Sequence, residues 1–117
     1  MIMDFSKKYV AVKKNGEFRY LFKKGKSIVT YAFVCYFLPG RRRVNRCGFV
    51  TSKKIGNAVK RNRARRVIRE AFRNFEPLLR EKTDKRYDFV FVARGQTPLI
   101  KSTKVFSLMK KKLLDLL

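Results

Sequence analysis

Apolar residues along this chain switch between two spacings, and the switches mark its elements. In KKNGEFRYLFKKGKS, Phe18, Leu21 and Phe22 recur at i, i+3 and i+4, which places them on one helical face. Asn15 stands where an N-cap is needed, Glu17 suits the positive first turn, and Gly25 follows as a terminator. Residues 27–38 then alternate. Tyr31, Phe33, Cys35 and Phe37 take one side, and Ala32, Val34, Tyr36 and Leu38 the other. Their β-branched and aromatic content predicts one strand. PGRRRVN breaks it with turn residues, and residues 46–52 predict a second strand, so the two are expected to pair as an antiparallel hairpin with a basic loop.

The helical period returns near Gly56 or Asn57 and is expected to run to Phe75, ending before Pro77. LREKTDKR reads as a polar connection, YDFVFVA as a third strand, and RGQTP as its end. Val105, Leu108, Met109, Leu113 and Leu116 lie near helical spacing behind Ser102 or Thr103 as a cap, which predicts a C-terminal amphipathic helix. This order predicts an α+β fold. A single domain over residues 1–117 forms a two-layer sandwich, three helices packed on one mixed sheet, with residues 1–11 a loosely ordered arm.

Composition narrows what such a domain does. A chain of 117 residues, 45% hydrophobic with 11 Phe and 5 Tyr, can bury a core without disulfides or metal. It has no histidine, and Cys35 and Cys47 lack metal-site spacing, so zinc sites of the usual kinds and a histidine-dependent triad are excluded. The two thiols read as reduced and packed within strands. Residues 28–38, the longest mostly apolar run, are about half of the roughly 20 residues that a spanning helix needs. MIMDFSKKYVAV also lacks the apolar stretch of a signal peptide, so a cytoplasmic location is expected.

Charge changes the picture most: 31 Lys and Arg against 8 Asp and Glu leave +23. Such a surface attracts polyanions, with nucleic acid ahead of membrane. KRNRARR, residues 60–66, concentrates the charge on the second helix. At helical spacing Ala64, Val67, Ile68, Ala71, Phe72 and Phe75 share an arc of about 140°, the core side. The opposite arc holds Asn62, Arg63, Arg65, Arg66, Arg69 and Arg73, with Glu70 as nearly its sole offset. A solvated face laced by i, i+4 ion pairs would need more acids than that. Guanidinium forks instead suit phosphate.

Neither a helix-turn-helix nor a zipper surrounds this helix, which argues against DNA. Aromatic residues near the basic segments point to unpaired RNA, whose bases stack on such rings. By pattern alone, Phe18, Phe22 and Tyr36 read equally as core, and periodicity favours core. The acids Asp4, Glu17, Glu70, Glu76, Glu81, Asp84, Asp88 and Asp115 do not cluster as a two-metal nuclease requires, so no catalytic residue and no metal ligand is expected in the protein.

SKKIGNAVKRNRARRVIREAF, residues 52–72, closely resembles the signature of the bacterial ribonuclease P protein component. KKNGEFRYLFKKGKS, FVCYF, RCGFVTSKK and YDFVFVAR follow the family's pattern in order, over residues 12–94 and more loosely in the last helix. Cys47 departs from it, standing where an aliphatic residue is usual. The resemblance implies a left-handed βαβ crossover in the sheet. It also implies a subunit that assists a catalytic RNA, which with Mg²⁺ removes the 5′ leader of precursor tRNA. Cofactors bound by the protein itself are not implied, and neither membrane nor DNA is a partner. The catalytic RNA would be met by Lys60, Arg61, Asn62, Arg63, Arg65, Arg66, Arg69 and Arg73. The leader would lie in a cleft of Phe18, Phe22, Tyr36, Lys53, Lys54, Arg61 and Asn62. The alternative is a general RNA-binding or ribosome-associated protein without a dedicated substrate.

Overall fold

The computed structural model describes residues 9–11 and 15–117. Five strands form one sheet: β1 (Tyr9–Ala11), β2 (Lys26–Val29), β3 (Phe33–Pro39), β4 (Asn45–Val50) and β5 (Tyr87–Ala93), in the order β1-β4-β5-β3-β2. Three α-helices accompany it: α1 (Asn15–Lys24), α2 (Ala58–Lys82) and α3 (Ser102–Met109), the last continued by a π-helical turn over Lys110–Leu114. Of the arm expected over residues 1–11, residues 1–8 lie outside the described residues, and Tyr9–Ala11 pair in parallel with β4. The α+β class, the mixed sheet and the three helices are as the pattern predicts.

Where the one long strand over residues 27–38 is expected, the chain instead folds back on itself. The Thr30 Oγ1 accepts from the Ala32 and Phe33 amides at 3.1 and 3.0 Å and donates to the Phe33 carbonyl, closing a turn that divides β2 from β3. Such a hydroxyl turn competes with strand continuation at a cost that β-propensity alone does not register. The expected hairpin between residues 27–38 and 46–52 is also replaced. β3 pairs antiparallel with β2 and β5, and β4 pairs in parallel with β5 and β1. The basic loop over residues 40–44 therefore spans two inter-strand spacings, roughly 10 Å, across the start of β5. β4, α2 and β5 make the βαβ unit, and α2 has the length to return the chain alongside the sheet.

α2 starts as the pattern predicts. The Asn57 side chain accepts from the Lys60 amide at 3.0 Å. Gly56 precedes it at φ 136°, a conformation that favours glycine. The predicted stop before Pro77 does not occur, since the helix runs on to Lys82. A proline inside a helix costs about 3 kcal/mol, and the residues on either side of it offset this, Phe75 and Glu76 before it and Leu79 after it being completely buried. The buried Glu76 carboxylate accepts from Asn45 Nδ2 at 2.7 Å and Arg80 Nε at 2.8 Å, and Asn45 Oδ1 accepts from the Tyr87 amide at 2.8 Å. This network ties α2 to both strands that it bridges.

Gly25 does end α1, for reasons of space. A Cβ there would lie 2.5 Å from the Leu21 carbonyl oxygen. At α3, Lys101 occupies the N-cap and no side chain caps the helix, so neither Ser102 nor Thr103 plays that part. Val105, Met109 and Leu113 are buried, whereas Leu116 is exposed.

The strand alternation sorts residues onto two faces. Phe33, Cys35 and Phe37 of β3, Cys47 and Phe49 of β4, and Phe89 and Phe91 of β5 meet Ile68, Ala71, Phe72 and Phe75 of α2 and Val105 and Met109 of α3 in the main core. The other face carries three cross-strand rows: Val34, Val92 and Val50, then Tyr36, Val90 and Gly48, then Leu38, Asp88 and Arg46. α1 lies over part of this second face, against β3 and β5.

Candidate nucleic-acid interface

Two cationic or aromatic surfaces arise from this arrangement, one on each side of the sheet. The first is the outer surface of α2. Its inward positions are apolar, so Lys60, Asn62, Arg63, Arg66 and Arg69 stand exposed, with Arg61, Arg65 and Arg73 half-buried. The structure divides them into two flanks. On the flank beside β4, Arg65 donates to Asn62 Oδ1 at 3.2 Å and to Thr51 Oγ1 at 3.1 Å, and the Arg69 guanidinium lies 5.7 Å from the Phe49 ring centre. On the other flank, Arg63 Nε donates to the Pro98 carbonyl at 2.8 Å. Those bonds aim each fork while leaving most of its N–H groups available. Glu70 pairs with Arg73 at 3.3 Å, an exposed pair of small energetic weight.

The second surface is the open face beside α1. Phe22 is 40% exposed and sets its ring edge-on to Tyr36, with centroids 4.9 Å apart at 86°. Phe18 and Tyr36 are half-buried. None of the three belongs to the main core, so the core reading favoured by periodicity does not describe their placement. In the middle row Tyr36 pairs with Val90 and Val90 with Gly48, and both Val90 and Gly48 are buried. Lys53 and Lys54 stand exposed on the 3₁₀ turn Lys53–Ile55 that follows β4, beyond the valine row. The same turn leads into α2, so these lysines and the start of KRNRARR share one end of the molecule.

An unforeseen group fixes α1 to this face. Arg46, 9% exposed, donates from Nε and Nη2 to the two carboxylate oxygens of Asp88 at 2.9 and 2.8 Å, and from Nη1 to Glu17 of α1. The paired acids, Asp88 first, hold the guanidinium pKa above its ordinary value against the opposing effect of burial. Glu17 is next in sequence to Phe18, so this clamp sets the cleft wall. Sequence reading missed it because the three charges are separated by 29 and 42 positions. Strand alternation was the available signal, because it places Arg46 on the same face as Val50.

The two thiols are buried, and burial pushes both well above 9.0. They stay protonated, and no chemistry follows from them. Among the described residues no group of His, Cys, Asp or Glu could hold a metal ion. Glu17 and Asp88 are engaged by Arg46, and Glu76 by Asn45 and Arg80. No helix among the described residues is long and apolar enough to cross a membrane.

The profile of the family described as Ribonuclease P matches residues 5–116. The ribonuclease P protein component of Clostridium kluyveri is 40% identical over 104 residues, which cover 86% of this chain and 91% of that protein. That of Caldanaerobacter subterraneus subsp. tengcongensis is 42% identical over 89 residues, covering 76% and 73%. Among solved structures, the Staphylococcus aureus RNase P protein superposes with a TM-score of 0.71 at 30% identity, over 88% of this chain and 91% of that one. The Thermotoga maritima RNase P protein gives 0.68 at 29%, over 92% and 94%.

Proposed function

The chain belongs to the ribonuclease P protein component family, and from that membership we propose how its two surfaces serve the enzyme. It is the auxiliary protein subunit of an endoribonuclease that acts in 5′ processing of tRNA. Its partner in that enzyme is the ribonuclease P RNA. In our reading, Lys60, Arg61, Asn62, Arg63, Arg65, Arg66, Arg69 and Arg73 bind the catalytic RNA by phosphate contacts. The single-stranded 5′ leader of precursor tRNA lies on the opposite face, against Phe18, Phe22 and Tyr36. Lys53, Lys54, Arg61 and Asn62 meet its phosphates where the two surfaces converge.

The observation that carries this reading is the placement of Phe22 against Tyr36 outside the main core, with Phe22 exposed. An exposed ring set against a half-buried one suits stacking by unpaired bases. A duplex would not unstack to use them, which is why a leader rather than mature tRNA fits. The protein's carboxylates are occupied or scattered, so phosphodiester hydrolysis falls to the RNA, with Mg²⁺ held there. The reading also takes the cytoplasm as the site of action and residues 1–117 as one RNA-binding domain.

Reconstitution with the cognate RNA tests the leader assignment. Phe22→Ala or Tyr36→Ala should weaken precursor tRNA binding by about 1–2 kcal/mol per ring and leave mature tRNA affinity unchanged. Equal losses on both ligands would remove the assignment. The chain freed of RNA should cleave no precursor at any Mg²⁺ concentration.

A further inference from the structure

The basic loop PGRRRVN remains outside both surfaces described above. It crosses the start of β5 and brings Arg41 and Arg42 to a cavity of about 660 Å³ at the Arg46 end of the open face. That volume lies in the range of about 300–1,000 Å³ found for small-ligand sites. Leu38, Pro39 and Tyr20 also line it, and Tyr20 is 58% exposed. The acids in the cavity, Glu17 and Asp88, are both bound by Arg46. Arg41 and Arg42 are exposed, and among the described residues neither has an anionic partner. A free aromatic ring, an apolar patch and two exposed guanidinium groups thus meet in one recess, where three arginines face two carboxylates, a combination that suits a base and its flanking phosphate.

Its position says which strand would reach it. Leu38 and Asp88 stand two residues along β3 and β5 from Tyr36 and Val90, about 7 Å farther along the same face. Lys53 and Lys54 lie at the opposite end, beyond Val50. A single strand that enters near the lysines and stacks at Phe22 and Tyr36 runs on directly into this recess.

We propose that the recess of Tyr20, Arg41 and Arg42 is a second single-stranded RNA subsite, which takes the leader nucleotides farther from the point of cleavage. It rests on the reading that the leader lies along Phe22 and Tyr36. Its consequence is a preference for precursors with long leaders: Tyr20 stacks on a base, and the two arginines contact the phosphates on either side.

The test uses holoenzyme reconstituted from full-length chain and cognate RNA, with precursor tRNAs whose leaders have about four or about ten nucleotides. The double substitution Arg41→Ala/Arg42→Ala should lower affinity for the long-leader precursor about tenfold and leave the short-leader precursor unchanged. Tyr20→Ala should show the same length dependence with a smaller loss, and Tyr20→Phe should retain affinity. All three positions are exposed, so folding is not at stake. Equal losses at both lengths, or none, would overturn the subsite. So would weaker assembly of the arginine variant with the catalytic RNA when no precursor is present, which would assign these arginines to that RNA. Phe22→Ala in parallel separates the two ideas. If it affects neither precursor while the arginine variant remains length-dependent, the cleft reading fails and the subsite stands.

Discussion

The two faces of the sheet are made by the same three strands, β3, β4 and β5, and end with opposite chemistry. On the α2 side, alternate residues are phenyl rings and thiols: Phe89 and Phe91 meet Phe72 edge-on at 5.4 and 5.5 Å, and nothing large remains open. On the α1 side, the residues between them are valines, a tyrosine, a glycine and the charged pair of Arg46 and Asp88. A helix of 25 residues seals the first face, and one of 10 residues partly covers the second. One face therefore stores stability, and the other is only partly covered. Helix length makes the difference.

The comparison breaks first at its sealed side. Phe72→Ala should cost about 3–5 kcal/mol, because the ring is buried against Phe49, Phe75, Phe89 and Phe91. Denaturant unfolding would measure it, and a loss below 1 kcal/mol would mean that the core is not centred there. On the open side, Arg46→Met should cost about 2 kcal/mol by leaving Glu17 and Asp88 without their shared cation. Its distinguishing mark is local. Amide hydrogen exchange should speed up in α1 and stay slow in α2, whereas a uniform increase would show that Arg46 supports the whole fold and not the cleft wall.

The smallest effect concerns the sealed face again and appears with pH. Burial raises the pKa of Cys35 and Cys47 in the folded chain. Below the unfolded thiol pKa both states are protonated, and the neutral thiols are fully stabilising. As pH rises past 9.0, the unfolded chain releases protons that the folded chain keeps, and stability falls by about 1.4 kcal/mol per pH unit for each thiol. Cys35→Ala/Cys47→Ala should flatten that alkaline slope. An unchanged slope would show that the thiols do not cause it.

Local signals were legible where they were strong. Alternation grouped Phe33, Cys35 and Phe37 on one face without saying which face is the core, the helical period placed the start of α2 near Asn57, and projection of KRNRARR turned Ala64 inward and Asn62 and Arg66 outward. The matching motifs identified the family before any coordinates. Signals that depend on contacts distant in sequence were not legible. Pro77 reads as a stop until Leu79 and Glu76 are seen buried, and residues 27–38 read as one strand until Thr30 is seen to close a turn. Strand partners were misassigned because β3 and β4 are close in sequence, while β5, nearly forty positions later, slots between them.

By itself the sequence determined the α+β class, the core face of α2 and the polycationic helix, because these follow from side-chain period and from charge that no nearby acid offsets. Tertiary structure alone decided what those parts enclose. It drew Glu17, Arg46 and Asp88 together, set Phe22 against Tyr36, and carried Arg41 and Arg42 over the start of β5 to Tyr20. Hydrophobic period is a local property that burial averages over a whole element. A cleft depends on a few pairings between distant residues, and only the packed chain selects which of them form.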